Sequence, residues 1–181
     1  MLSDGVVTLR ALEPADVNTL FVWENDPRVW SAGASLAPYS LKQLADYVEN
    51  YDGNIYKAGQ LRLMISLAEN GETIGTLDFY DFDAANSRSG VGILIAPEYR
   101  RKGYGLRALA LGEKFCQHRL SLNQLYSIVG EQNSASRALF ERAGYSCSGR
   151  LRSWLRESGR FSDALIYQKI STLSLSLRER Q

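Results

Sequence analysis

The sequence predicts an α/β (α+β) fold in a single domain, with a central mixed β-sheet of about seven strands flanked by about four helices. The chain has 181 residues, of which 45% are apolar and 23% charged, as in an ordinary globular domain that buries its own core. Segments with the composition of β-strands alternate with segments of helical periodicity. In the middle of the chain a strand, a helix and a strand follow each other, which predicts a parallel, right-handed crossover within one sheet.

The strands are predicted from β-rich composition and from the turns that bound them. The clearest boundaries are Asn70-Gly71, which is typical of a hairpin, the stop at Pro97 and the turn at 157–160. The predicted strands span residues 6–10, 60–68, 72–82, 90–95, 124–129, 145–155 and 161–170.

The helices complete the predicted order β-αα-βββ-α-β-α-ββ. The first has Pro14 in its first turn and ends before Pro27. Ser40 is the predicted N-cap of the second, which has apolar residues at helical spacing. The third and fourth span about 105–120 and 134–143.

Residues 6–170 are expected to form the domain and residues 171–181 a loose polar tail. No apolar run reaches the roughly 20 residues needed to span a bilayer. The segment from Met1 to Gly5 lacks the basic and apolar parts of a signal peptide. We therefore expect a cytoplasmic protein without a membrane partner.

Composition also argues against several classes of function. Lys and Arg number 21 and Asp and Glu 20, a formal net charge of +1, which argues against nucleic-acid binding through bulk charge. Cys116 and Cys147 belong to no CxxC pattern, so both are expected to be buried free thiols. His118, at a predicted helix end, is the only histidine, which argues against a metal site and against a Ser-His-Asp hydrolase.

The most informative segment is a basic, glycine-containing loop between the strand at 90–95 and the helix that follows. Arg100, Arg101 and Lys102 supply positive charge, and Gly103 and Gly105 let a bulky anion approach the backbone. The first N–H groups of a helix are unpaired and its dipole favours an anion, so the loop predicts a phosphate or pyrophosphate site.

Two common phosphate loops do not fit this segment. It lacks the Gly-Lys-Ser/Thr of a Walker A loop, and Ala108 stands where a dinucleotide fingerprint has its third glycine. The alternative interpretation is a solvated basic turn followed by a glycine-rich helix start.

At these residues the chain resembles the GCN5-related N-acetyltransferases (GNAT). Arg100-x-x-Gly103-x-Gly105 is similar to the R/Q-x-x-G-x-G/A signature of that superfamily, in the same strand–loop–helix context. Asn133-x-x-Ser136 and residues 139–145 resemble its next motif. Residues 9–12 and 25–27 resemble the openings of the ribosomal-protein alanine and the spermidine (diamine) acetyltransferases, so the resemblance covers about 6–170.

The resemblance implies acetyl-coenzyme A (acetyl-CoA) as cofactor. Arg100 belongs to the signature, and the backbone amides implied to hold the pyrophosphate are those of Arg101, Lys102, Gly103, Tyr104, Gly105 and Leu106. The strand Ile93-Leu94-Ile95 is implied to pair with the pantetheine arm, and one of its N–H groups to polarise the thioester carbonyl. Asn133, Ser136 and Phe140 are implied cofactor contacts, although Asn133 is also a plain helix cap.

The sequence departs from the family at Phe140, where many relatives have the tyrosine that protonates the leaving thiolate. Ser136, Tyr145 and Tyr126 are the candidate replacements. Alternatively the thiolate leaves unaided, which a thiol pKa near 8.5 permits, and Phe140 is a core aromatic.

The acceptor amine needs a carboxylate or a water held by one to take its proton. Alternation places Asp81 and Asp83 on one face of their strand and Asp78 on the other. Asp81 is the predicted substrate-side carboxylate because it matches an acidic position of the spermidine enzymes, whereas Asp83 reads equally well as a solvated turn residue. Glu24 is a further possible acceptor contact.

The predicted function is transfer of an acetyl group to a primary amine of a small, polyamine-like molecule by direct attack in a ternary complex. Acids of the polyamine enzymes are missing at residues 36–40 and at Gly90, which weakens that acceptor class. The alternatives are a peptide N-terminus as acceptor and a non-catalytic acyl-CoA sensor, for which Phe140 is the best support. The sequence leaves the oligomeric state open, including a homo-oligomer.

Overall fold

The computed structural model describes residues 2–26, 37–157 and 159–171. Within them, eight strands form one mixed sheet. The strands are β1 (Leu2–Ser3), β2 (Val7–Arg10), β3 (Leu61–Leu67), β4 (Thr73–Asp83), β5 (Arg88–Ile95), β6 (Gln124–Gly130), β7 (Ser146–Glu157) and β8 (Arg160–Ile170). The α-helices are α1 (Val17–Glu24), α2 (Leu41–Glu49), α3 (Ile55–Ala58), α4 (Tyr104–Arg119) and α5 (Ser134–Arg142).

The predicted fold class and element order are confirmed, with two additions. Strand β1 has two residues and helix α3 has four. Such short elements do not show the hydrophobic period of a strand or of a helix in the sequence. Most of the predicted tail lies outside the described residues. Ser171, the first residue assigned to that tail, is buried and donates its N–H to the Asn123 carbonyl at 2.7 Å.

The strands lie in the order β1-β2-β3-β4-β5-β6-β8-β7. Only the β5–β6 pair is parallel among the described strands, and helix α4 connects the two, as the crossover prediction required. None of the described helices is long and apolar enough to cross a membrane.

Two apolar clusters cover the two faces of the sheet. Adjacent residues of a strand point to opposite faces, and Ile65 belongs to the cluster under α4 whereas Met64 packs with α1 and α2. Helix α4 lies close to the sheet because Gly112 faces Leu77 and Phe79 of β4 without a side chain between them. This packing fixes the position of the helix and therefore of its N-terminal loop.

The expectation for the two cysteines is half wrong. Cys116 is buried in α4, and burial raises the pKa of its thiol. Cys147 is exposed, because it lies on β7 at the outer edge of the sheet where the ladder with β8 is irregular. His118 lies in the last turn of α4, as predicted.

Replacing Gly112 with valine is expected to lower the free energy of unfolding by about 1–3 kcal/mol. A Cβ atom at this position would lie 2.4 Å from Leu77 Cδ2 and 3.1 Å from Phe79 Cζ. Denaturant unfolding measures the effect, with Gly53→Val as the matched control because a Cβ there meets no atom within 4 Å. Equal unfolding curves for the two variants would contradict this account of how α4 is seated.

Candidate active site

The central feature of the site is a split in the sheet. Strands β5 and β6 pair over three residues only, from Arg88 opposite Gln124 to Gly90 opposite Tyr126. Beyond Gly90, β5 continues against β4 alone, and β6 continues against β8 alone. The facing edges of the two strands are thus unpaired, and an extended ligand can pair with such an edge.

The backbone of Ile93 and Ile95 faces the split. The N–H of Ala96 bonds to the Ile74 carbonyl of β4 at 2.9 Å, and hydrogen-bonding directions alternate along a strand. Leu94 therefore directs its backbone groups to β4, whereas those of Ile93 and Ile95 point away from it. Of the three residues implied to pair with a cofactor, Leu94 has no backbone group left for that purpose.

A turn with free backbone donors lies at the open end of the split. Gly103 caps α4 with φ +82°, and Arg101 has φ +62°. None of the backbone N–H groups of residues 101–106 bonds to an acceptor in the described part of the chain. They lie just before and within the first turn of a helix of 16 residues, so unpaired donors and the positive end of a helix dipole coincide. This is the geometry that binds phosphate groups.

Two of the three cationic side chains of the turn contact neutral partners. Arg100 Nε donates to the Ile95 carbonyl at 2.8 Å, and Lys102 Nζ lies 5.3 Å from the centre of the Tyr99 ring. Both side chains therefore keep their charge for an anion.

Arg107, in the first turn of α4, has a carboxylate partner. Its Nη1 lies 2.8 Å from Asp4 Oδ2. Burial opposes ionisation of Asp4, but hydrogen bonds from the Val7 N–H and from Arg107 lower its pKa to about 2. The pair ties the chain between β1 and β2 to the start of α4.

Helix α5 packs against the first turn of α4. A Cβ on Gly105 would lie 3.6 Å from Leu139 Cδ2, so the two helices approach closely there. Asn133 caps α5 by accepting a hydrogen bond from the Ser136 N–H at 3.1 Å. The capping role of Asn133 is confirmed, and contact of Asn133 and Ser136 with a cofactor stays a prediction.

Phe140 is a core residue. It is 2% exposed and its ring packs against Tyr145 and Tyr167 at centroid distances of 5.0 and 6.3 Å. A core aromatic is one of the roles that the sequence left open for Phe140, and contact of Phe140 with a cofactor stays a prediction.

Tyr145 lies on the opposite face of the sheet from Asp81. It lines a small cavity with Glu113, Cys116 and Leu125, whereas Tyr126, the next residue after Leu125, donates its hydroxyl to Asp81 at 3.3 Å. Burial and the Glu113 carboxylate raise the pKa of Tyr145. The structure does not bring Tyr145 and Asp81, two of the three predicted catalytic residues, together.

The alternation argument for the aspartates is wrong because β4 contains a bulge. Register with β5 shifts between Tyr80 and Asp83, and Asp81 has φ +48°. The bulge exposes the Asp81 carboxylate near Tyr126 of β6. Asp83 instead binds Asn86 and Arg88, which is the turn role given as its alternative.

Sequence reasoning missed Tyr80. It stands opposite Gly90 in the register of β4 and β5, and its ring lies where a Gly90 side chain would be. Two glycines at alternate positions of a strand, Gly90 and Gly92, were the available signal of a close approach.

Sequence reasoning also missed Arg62, which joins Asp78 and the predicted acceptor contact Glu24 in a charged cluster on the same face. Arg62 binds Asp78 at 2.6 Å and Glu24 at 2.8 Å, and its guanidinium lies 5.8 Å from the centre of the Tyr47 ring. Although burial works against the charge, the two carboxylates raise the pKa of Arg62 overall. No group of three or more His, Cys, Asp or Glu side chains suited to a metal ion occurs among the described residues.

Comparisons with known proteins agree with this geometry. The model of the Acetyltransferase (GNAT) domain family matches residues 7–146. The chain is 26% identical to the spermidine N(1)-acetyltransferase of Escherichia coli over 91% of this chain and 86% of that one. It is 28% identical to a putative ribosomal N-acetyltransferase of Bacillus subtilis, with 89% of each chain covered.

Solved structures show the same fold. The spermidine N-acetyltransferase of Vibrio cholerae, in complex with CoA and spermine, superposes with a TM-score of 0.81 at 22% identity, over 95% of this chain and 99% of that one. A ribosomal L7/L12 alpha-N-protein acetyltransferase in complex with coenzyme A gives 0.81 at 17% identity, over 94% and 96%.

Replacing Gly103 with valine is expected to abolish binding of coenzyme A, the ligand that the sequence resemblance implied. The side chain would occupy the anion's approach and strain a residue at φ +82°. Calorimetric titration measures the affinity. Gly59→Val is the matched control, because Gly59 has φ +68° and a similar strain of about 1–2 kcal/mol but caps α3. Normal affinity in the Gly103 variant would remove the turn from the site.

Proposed function

We propose, from the premise that this chain belongs to the GNAT acetyltransferase family, that it transfers an acetyl group from acetyl-CoA to a primary amine of a small, polyamine-like molecule. The single observation that carries the proposal is the meeting of two features: an unpaired strand edge, and a turn of free backbone donors at its open end. A ligand with an extended arm that ends in a pyrophosphate fits both the strand edge and the turn.

The residues present fit this cofactor. Bound acetyl-CoA supplies the acetyl group as an activated thioester. The amides of residues 101–106 bind its pyrophosphate, with Arg100 and Lys102 adding positive charge. The backbone groups of Ile93 and the N–H of Ile95 bind the arm, and an N–H of that edge polarises the thioester carbonyl, a type of contact whose loss costs about 3 kcal/mol.

The acceptor approaches on the face that carries the acidic groups. Asp81 is exposed at the bulge of β4, where it orients the amine and takes its proton directly or through water. Asp78 and Glu24 lie on the same face, where both carboxylates bind the Arg62 guanidinium. The named spermidine relatives support this acceptor class.

A protein N-terminus is the second candidate acceptor. The observation in its favour is the absence of acids at Ala37, Pro38, Tyr39 and Ser40 and at Gly90, together with the ribosomal acetyltransferases among the relatives. A homo-oligomer is part of the proposal, because one spermidine N-acetyltransferase of the same fold is described as dodecameric.

A thiol-release assay with acetyl-CoA and a panel of amines tests the function. Spermidine, spermine, diamines and short peptides with free N-termini form the panel. We expect release with at least one small polyamine. Turnover of peptides alone would favour the second candidate, and CoA binding without release for any acceptor would identify a sensor.

Replacing Asp81 with asparagine is expected to lower kcat/KM for the acceptor by about 10–100-fold, because a charged contact to the amine is lost. The affinity for CoA stays unchanged. Steady-state kinetics with the best acceptor of the panel measures the effect. Asp83→Asn is the matched control, since that carboxylate binds Asn86 and Arg88 within the turn. Unchanged acceptor kinetics would exclude Asp81 from the site.

A further inference from the structure

We propose that the hydroxyl of Tyr80, at the closed end of the split between β5 and β6, donates a hydrogen bond to the sulfur of the acetyl donor and stabilises the thiolate as it leaves. The inference rests on the proposed function, since it assigns a role in the same reaction. With this role, Tyr80 supplies a phenol hydroxyl to the leaving sulfur, a group that Phe140 lacks.

The ring of Tyr80 lies across β5. A Cβ on Gly90 would be 2.2 Å from Tyr80 Cε2, and a Cβ on Gly92 would be 3.8 Å from Tyr80 Cε1. The ring therefore covers both glycines on the face opposite to α4. Tyr126 supports it from β6 by an edge-to-face contact with a centroid distance of 6.0 Å and an interplanar angle of 80°.

The hydroxyl reaches β6 just beyond the last paired residue. The groups of β6 that act on the ionisation of the Tyr80 phenol are the backbone of Ile128 and the side chain of Ser127. Consecutive side chains of β6 lie on opposite faces, so a group near both Ser127 and the backbone of Ile128 is close to the plane of the sheet. Since pairing ends at Tyr126, this position is the apex of the split.

The contacts leave the phenolic proton available. Burial raises the pKa of Tyr80, although hydrogen bonds from the Ile128 backbone and the Ser127 side chain lower it in part. The raised pKa keeps the O–H in place at neutral pH. A phenol in this state can donate its proton in a hydrogen bond to a ligand in the split.

The role is donation of a hydrogen bond, without transfer of the proton. As the C–N bond forms and the C–S bond breaks, the electron pair of the latter goes to sulfur. The amine loses its proton to Asp81 or solvent, and the thiolate later takes one from solvent. A hydrogen bond to an anion is roughly twice as strong as one between neutral groups, so the contact favours bond cleavage over the bound ground state.

The decisive measurement is the pKa of the CoA thiol bound to wild-type protein and to Tyr80→Phe, followed by ultraviolet absorbance of the thiolate. Phenylalanine keeps the ring over Gly90 and removes only the donor. We expect the bound thiol pKa to rise by about one unit or more in the variant. We also expect kcat to fall about tenfold or more, with CoA affinity and thermal unfolding unchanged.

The matched control is Tyr56→Phe. Tyr56 is 63% exposed and packs edge-on against Phe82, so this variant loses a hydroxyl that faces solvent. Its bound thiol pKa is expected to equal that of wild type. An equal thiol pKa in wild type and Tyr80→Phe overturns the inference.

A second variant moves the hydroxyl without deleting it. Gly90→Ala places a methyl group where the Tyr80 ring now lies, and the thiol pKa is expected to rise as in Tyr80→Phe. In the Gly90→Ala variant, the additional Tyr80→Phe substitution should not raise the thiol pKa further. Additive shifts contradict the inference, and failure of Gly90→Ala to fold leaves the Tyr80→Phe measurement decisive. Failure of wild-type protein to bind CoA overturns the proposed function instead, which separates the two claims.

Discussion

The site depends on the early end of the ladder between β5 and β6. If these strands stayed paired to Ile95, the Ile93 and Ile95 groups would bond to β6, and no edge would remain for a ligand. The Tyr80 ring lies at the last paired residues, opposite Gly90 of β5 and edge-on to Tyr126 of β6. Gly90 makes this possible because any side chain there would collide with the ring. Two facing residues on neighbouring strands, Tyr80 and Gly90, thus account for the split between β5 and β6.

A rigid scaffold fixes the other end of the site. Helix α4 is held by buried residues such as Ala108 and Leu109 and by its close approach at Gly112. Its N-terminal amides therefore point in a fixed direction before any ligand arrives. Donors that are already oriented cost little to organise when an anion binds, which is why helix position matters as much as loop composition.

Sequence reasoning found what depends on local patterns. The loop at Arg100 to Gly105, the Asn133 cap and the crossover through α4 follow from residue types at fixed spacing. The bulge at Asp81 was not predictable, because a non-glycine residue at positive φ leaves no pattern in sequence. The pairing of Tyr80 with Gly90 depends on strand register, and the Arg62 cluster joins three elements distant in the chain, so both required the structure.

The ion pair of Asp4 and Arg107 places a carboxylate of the chain itself beside the turn with free backbone donors. Arg107 lies one helical turn from Gly103, so its guanidinium can serve either the aspartate or an incoming anion. If Arg107 bound an anion instead, its ion pair with Asp4, which ties the segment between β1 and β2 to α4, would be weakened. Order near β1 and occupancy of the turn by an anion would therefore be linked in opposite directions.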